Sequence, residues 1–152
     1  MRVRRMTEIR LYTIGFTQKG AEEFFTSLKK AGVRRVIDIR LNNVSQLAGF
    51  AKRDDLAFFL KALCGIEYVH RPDLAPTQDL LARYRKKAIR WDGYEREFME
   101  LMTERGIQES VDRSALDQAC LLCSEPTPER CHRRLVAEYL RDKLGNISLC
   151  HL

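Results

Sequence analysis

The stretch CSEPTPERCHR, Cys123 to Arg133, gathers two thiols, an imidazole, arginines and carboxylates in one short run. An ionised thiol is a nucleophile, an imidazole moves protons near neutral pH, and a guanidinium grips phosphate or carboxylate with paired donors. Behind this run, Leu135, Val136, Tyr139, Leu140 and Leu144 recur at helical spacing. Stepping back four residues from Leu135 and Val136 reaches Cys131 and His132, so both face the apolar side near the helix start. There the helix field and the neighbouring Arg130 and Arg133 lower a thiol's pKa, and the same N-terminus suits an anion. Thr127 and Pro128 form a cap-then-proline start for this helix, which runs to about Leu144 and stops at Gly145. The plain alternative is structural: Cys131 as a small buried residue and His132 as a core histidine satisfied by a backbone carbonyl.

The elements that must position this run alternate between strands and amphipathic helices. Strands are expected at Ile9 to Gly15, Arg34 to Arg40, Ile66 to His70, Ala119 to Cys123 and Ile147 to Leu152. ACLLC, at Ala119 to Cys123, is almost wholly apolar, as a strand buried on both faces of a parallel sheet must be. Ala21, Phe24, Phe25, Leu28 and Ala31 mark a helix stopped by Gly32, and Leu56, Phe59, Leu60 and Leu63 a second stopped by Gly65. Thr77 caps a helix carrying Leu80, Leu81 and Tyr84, and Asp92 with Glu95 has capping-box spacing before Tyr94, Phe98, Leu101 and Met102. Gln108 to Asp117 reads as a loop. The expected fold is a small, three-layer, Rossmann-like α/β sandwich with a mostly parallel sheet of about five strands. Residues 1–8 form a basic tail and residues 9–152 a single domain.

In open parallel sheets, ligands sit beyond the carboxyl ends of the strands. That rule collects Gly15, Phe16 and Thr17 after the first strand, Asp38 and Arg40 at the second, His70 and Arg71 at the third. Cys123, Ser124 and Glu125 join them at the fourth. Asp38, Glu125, Cys131 and His132 are therefore the candidate catalytic groups. Thr17, Arg40, His70, Cys123 and Arg133 are the candidate ligand-binding groups. Polar loops explain part of this collection, but less well the placing of Asp38, His70 and Glu125 at the ends of apolar runs.

No metal site is expected. Cys120 and Cys123 have C-x2-C spacing, but positions three apart on a strand face opposite sides. Adjacent Cys131 and His132 on a helix diverge by about 100°. A combination of Cys123, Cys131 and the distant His70 stays open. There is no G-x-G-x-x-G after the first strand and no Walker-type phosphate loop, so no cofactor is assigned.

The 152 residues are 45% hydrophobic and 32% charged, the balance of a water-soluble globular domain. The five cysteines, Cys64, Cys120, Cys123, Cys131 and Cys150, form an odd set without an apolar leader, which points to free thiols in the cytoplasm. No membrane partner is expected. The net charge of +6 permits phosphate-bearing partners without demonstrating them, since acids are interspersed among the bases.

The chain resembles the family called domain of unknown function 488, which includes the YeaO-like proteins. Four elements carry the resemblance: TIGFT at Thr13 to Thr17, the D-x-R of Asp38 and Arg40, GIEYVH at Gly65 to His70, and LLCSEPTPERCHRRLVAEYL at Leu121 to Leu140. The resemblance implies a compact α/β domain with a shared site around Thr17, Asp38, Arg40, Glu125, Cys131, His132 and Arg133. It implies no reaction. The chain departs from relatives at Thr17, where many carry serine, and in the segments Leu41 to Lys52 and Leu74 to Pro76.

Three functions compete at this stage. One is an enzyme, a hydrolase or transferase, acting on a phosphate-containing ligand such as a nucleotide or nucleic-acid component. Arg40 and Arg133 would hold the anion, Glu125 or Asp38 would act as acid or base, and Cys131 or His132 as nucleophile or shuttle. Another is a non-catalytic nucleic-acid-binding module using RYRKKAIRW, Arg83 to Trp91, whose plain alternative is a solvated basic helix face. The last is a thiol redox sensor built on Cys123 and Cys131.

Overall fold

The computed structural model describes residues 7–44, 49–125 and 128–152. Most of the basic tail, four residues of the segment after the second strand and the expected cap Thr127 lie outside them. The strands are β1 (Ile9–Gly15), β2 (Arg35–Asp38), β3 (Glu67–His70), β4 (Ala119–Cys123) and β5 (Ile147–His151). They form one parallel sheet in the order β3-β2-β4-β1-β5. The helices are α1 (Ala21–Ala31), α2 (Arg53–Phe59), α3 (Gln78–Arg85), α4 (Trp91–Glu104), α5 (Ile107–Ser110) and α6 (His132–Leu144).

The period-2 alternation of the strands sorts the core into two layers. Ile9, Leu11, Ile37, Ala119 and Leu121 face the helices α4 and α6, where Phe98, Met102, Leu135, Val136 and Leu140 are fully buried. Tyr12, Ile14, Val36, Cys120 and Leu122 face α1 and α2, packing on Phe24, Leu28 and Leu56. All five residues of β4, the central strand, are buried, as its unbroken apolar run requires. Gly32 ends α1 in the left-handed region at φ 75°, a conformation that costs glycine little. The Thr77 hydroxyl caps α3 by accepting from the Leu80 amide, as its position foretold.

Four local expectations are corrected. Helix α6 starts at His132, not at Pro128, and Cys131 is its cap in extended conformation. Helix α4 starts at Trp91 with Arg90 as cap. Asp92 lies in the first turn, where the helix dipole favours a carboxylate, and makes no capping box. The second helix gives way at Leu60–Cys64 to a π turn. The wider turn breaks the 3.6 period and leaves Leu63 more than half exposed. The expected loop from Gln108 to Asp117 instead holds most of α5 and a 3-10 turn, Arg113–Leu116, because Ile107, Val111 and Leu116 anchor it in the core. Among the described residues, no helix is long and apolar enough to cross a membrane.

Candidate functional site

Strands β1 and β2 pass the chain to α1 and α2 on one face of the sheet, whereas β4 passes it to α6 on the other. Because β4 lies between β1 and β2, its carboxyl end is flanked on both sides by a reversal of direction. Such reversals open the crevice in which parallel sheets bind ligands. Cys123 is the last residue of β4, paired with Gly15 of β1.

Three side chains converge there on the α6 face. Cys123 Sγ lies 3.4 Å from His132 Nδ1, and the Cys131 sulfur faces both. All three donor atoms lie within 4.8 Å of one another. The expected divergence of Cys131 and His132 does not occur, because Cys131 precedes the first helical turn. Its φ of −134° and ψ of 139° turn the side chain back beside His132.

His132 is fixed at its other nitrogen. Nε2 lies 2.8 Å from the Ile39 carbonyl, which can only accept, so Nε2 carries the proton and Nδ1 faces Cys123 with its lone pair in the neutral ring. The Phe98 ring packs beside the imidazole at 5.8 Å. The core-histidine alternative is thus half right: a carbonyl does hold the ring, but the second nitrogen points at a thiol.

The electrostatics separate the two thiols. Burial opposes ionisation of Cys123, yet the hydrogen bond from Cys131 and the adjacent imidazole outweigh it, and its pKa lies well below the usual thiol value. For Cys131, the hydrogen bond to Cys123 and then burial push the pKa up. Burial lowers the pKa of His132, but Cys123 reverses this and raises it overall. The thiol activated by its surroundings is Cys123, rather than the Cys131 expected from the helix field.

Arg133, the next residue of α6, turns towards β1. It is fully buried, and its NH1 donates to the Glu125 carbonyl at 2.8 Å. Its Nε and NH2 have no partner among the described residues. Gly15 makes room for it: a Cβ there would stand 1.6 Å from the Glu125 carbonyl oxygen and 2.3 Å from Arg133 NH1. Lys19 is close enough for its pKa to be lowered by burial and then by Arg133.

On the α1–α2 face, the tip of β2 carries a second polar group. Arg40 is 2% exposed and grips Asp38 through Nε and NH2, each at 2.8 Å. Asp38 also accepts from the Arg40 amide, the Asn43 side chain and the Tyr68 hydroxyl. Burial alone would raise the Asp38 pKa, but Arg40 and Tyr68 hold it below the usual carboxylate value. The Arg40 guanidinium lies 5.3 Å from the centre of the Phe16 ring, and its NH1 has no partner among the described residues.

The sequence-derived residues therefore split. Cys123, Cys131, His132 and Arg133 form one cluster, and Asp38 with Arg40 another, linked through the Ile39 carbonyl. His70 Nε2 meets the Arg40 carbonyl at 3.1 Å, at the edge of the second cluster. Thr17 is exposed, and its amide is bound to the Ser124 carbonyl. Glu125 contributes its backbone carbonyl while its residue is exposed, so the carboxylate is no fixed part of the cluster. Sequence reasoning placed Phe16 at the rim and missed Tyr68, Asn43 and Lys19. Tyr68 had a signal, being a polar-tipped residue inside the third apolar run.

Beside the cluster lies an open groove of about 790 Å³, lined by Tyr84, Arg85, Lys87, Ile89, Arg90, Trp91, Asp92 and Arg130. Most of RYRKKAIRW lines it, and Arg130 directly precedes Cys131. A run of rings connects the two places: Trp91 stacks on Tyr94 at 5.1 Å, Tyr94 on Phe98 at 6.1 Å, and Phe98 meets His132.

The family model described as domain of unknown function DUF488 matches residues 20–140. No curated protein and no solved structure matches the chain significantly. The family match takes in β2 to β4 and most of α6, including Asp38, Arg40, Cys123 and the Cys131–Arg133 run, and the chain belongs to the DUF488 family.

Proposed function

We propose that the protein is an enzyme acting on a phosphate-bearing ligand, a nucleotide or nucleic-acid component, held at the carboxyl end of the sheet. The observation that carries this is Arg133. A guanidinium fully removed from water, with one carbonyl partner and two further nitrogens unpartnered among the described residues, lacks the anion that would compensate its burial. A phosphate supplies several acceptor oxygens and the missing charge. Arg40 presents one more nitrogen unpartnered among the described residues, and Lys19 a further cation, on either side of the Gly15–Phe16 turn.

The nucleotide part of the proposal rests on the neighbouring groove. Arg85, Lys87, Arg90 and Arg130 give it a cationic rim, and Tyr84 and Trp91 give it rings on which a base can stack. The thiol–imidazole cluster of Cys123, Cys131 and His132 adjoins both and supplies the reactive centre, which favours a hydrolase or transferase. Asp38 serves in holding Arg40, since every oxygen it has is engaged in that task.

Trp91 is the single tryptophan, so its fluorescence reports on the groove directly. Metal-free protein should be titrated with inorganic phosphate and with nucleoside mono-, di- and triphosphates, by fluorescence and calorimetry. Saturable binding of a nucleotide is expected. Arg133→Ala should weaken it by about 2 kcal/mol or more, roughly 30-fold. Failure of every phosphate ligand to bind, or unchanged affinity in a folded Arg133→Ala protein, would overturn the proposal.

A further inference from the structure

We infer that Cys123, Cys131 and His132 bind one zinc ion, with the fourth coordination position left open. The donor set is two thiolates and an imidazole, borderline-soft ligands that zinc selects and that hard cations such as magnesium avoid. The inference concerns these three side chains alone and does not rest on the anion-binding reading of Arg133.

Geometry supports it at each donor. A tetrahedral zinc with Zn–S of about 2.3 Å and Zn–N of about 2.05 Å separates sulfur from nitrogen by roughly 3.6 Å. Cys123 Sγ and His132 Nδ1 are already 3.4 Å apart, and no pair among the three donor atoms exceeds 4.8 Å. The extended backbone at Cys131 brings its sulfur to the same point from the residue adjacent to His132.

The surroundings meet the demands of a metal ligand as well. A zinc-bound imidazole commonly donates its remote N–H to a carbonyl or carboxylate, which fixes the ring and strengthens the ligand. The Ile39 carbonyl does this for His132 Nε2. Cys123 and Cys131 are 4% and 2% exposed, so a lone zinc charge there would be costly. Two thiolates, one neutral imidazole and Zn²⁺ sum to zero, which removes that cost. On loading, each thiol gives its proton to the buffer and forms an S–Zn bond, so up to two protons are released for each ion bound. Among the described residues, no fourth cysteine, histidine or carboxylate joins the group. A three-ligand site with the remaining position available to water or an incoming oxygen is the pattern of catalytic rather than structural zinc.

The full chain, reduced and stripped of metal, should be titrated with Co²⁺ and then with Zn²⁺. One ion per chain is expected, with tetrahedral cobalt d–d bands and thiolate-to-cobalt charge-transfer absorption that zinc then abolishes. Cys123→Ser, Cys131→Ser and His132→Gln should each lose more affinity than the roughly 10–100-fold that removal of an outer-sphere partner costs. Cys150→Ser, whose thiol is exposed, should bind as the parent does. Absence of the cobalt bands in the reduced parent chain would overturn the inference, as would their persistence in Cys123→Ser. The parent titration decides even if a variant does not fold. Nucleotide binding is measured on metal-free protein, so failure of that reading and failure of this one are separate results.

Discussion

Two polar groups sit at the same end of the sheet, on opposite faces of it, and they differ in how their hydrogen bonds are spent. On the α1–α2 face, Asp38, Arg40, Asn43 and Tyr68 satisfy one another almost completely, and only one Arg40 nitrogen is left over among the described residues. On the α6 face, Arg133 has two nitrogens unpartnered among the described residues, and Cys123, Cys131 and His132 point three donor atoms at one spot. A closed network of buried charges holds a loop in place; an open one is incomplete until something binds. Under the proposed function the Asp38 group positions and the Cys123 group carries the chemistry, though both have the residue types of an active site.

The largest effect should come from breaking the closed network. Asp38→Asn removes the counter-ion of a buried guanidinium, and loss of one partner from such a pair costs about 3–5 kcal/mol. Urea unfolding of parent and variant at neutral pH measures it. Acid should imitate the substitution. The folded-state pKa of Asp38 lies below its unfolded value of about 3.9, so its contribution is complete above that value and is lost as pH falls through the folded one. The parent should therefore lose stability below about pH 4 by a component that Asp38→Asn lacks. Equal acid sensitivity in the two proteins would show that the network is not the closed unit described.

Gly15 stands against Arg133 of the open group, with the next residue, Phe16, under Arg40 of the closed one, and Gly15→Ala should be next in size. The added Cβ meets the backbone at Glu125 and the guanidinium of Arg133 at distances that no side chain tolerates, so one or both must shift. Overpacking of this kind costs about 1–3 kcal/mol, and contact with backbone rather than a flexible side-chain end places Gly15→Ala at the upper end. Thermal unfolding gives the cost. A protein as stable as the parent would mean that the β4–α6 connection is free to move away, and that Arg133 is not held where the comparison needs it.

Much of this arrangement was legible in the sequence for identifiable reasons. The apolar run of β4 and the spacing of Leu135, Val136, Tyr139 and Leu140 fixed which elements meet, and the strand-end rule fixed which polar residues lie near them. The detail that was not legible is a single backbone conformation. Sequence periodicity put Cys131 inside the helix, where it must diverge from His132; as an extended cap it converges, and a metal site that helical geometry had excluded becomes possible. The roles of Glu125 and Asp38 were hidden for a similar reason. A carboxylate's type does not tell whether its side chain or its backbone is used, as at Glu125, or whether an arginine two residues away already occupies it, as at Asp38. Tyr68 and Asn43 were hidden because they reach Asp38 only through the pairing of β2 with β3 and a loop return.

The smallest stability effect is expected where the sequence drew most attention. Arg133→Met removes a buried charge that has no carboxylate partner among the described residues, replacing it with an apolar chain of similar length. The charge-assisted hydrogen bond to the Glu125 carbonyl is lost, at about 1.5–3 kcal/mol, but so is the cost of keeping a guanidinium out of water. The two nearly cancel, and ligand-free stability should change by about 1 kcal/mol or less in either direction. Set beside the loss expected for Asp38→Asn, this is the sharpest form of the comparison, because both substitutions act on buried charge at the same end of one sheet. A large destabilisation on Arg133→Met, in chemical unfolding of the ligand-free protein, would mean that Arg133 is already compensated within the fold. The open side would then be as closed as the other, and the case for an anion there would lose its ground.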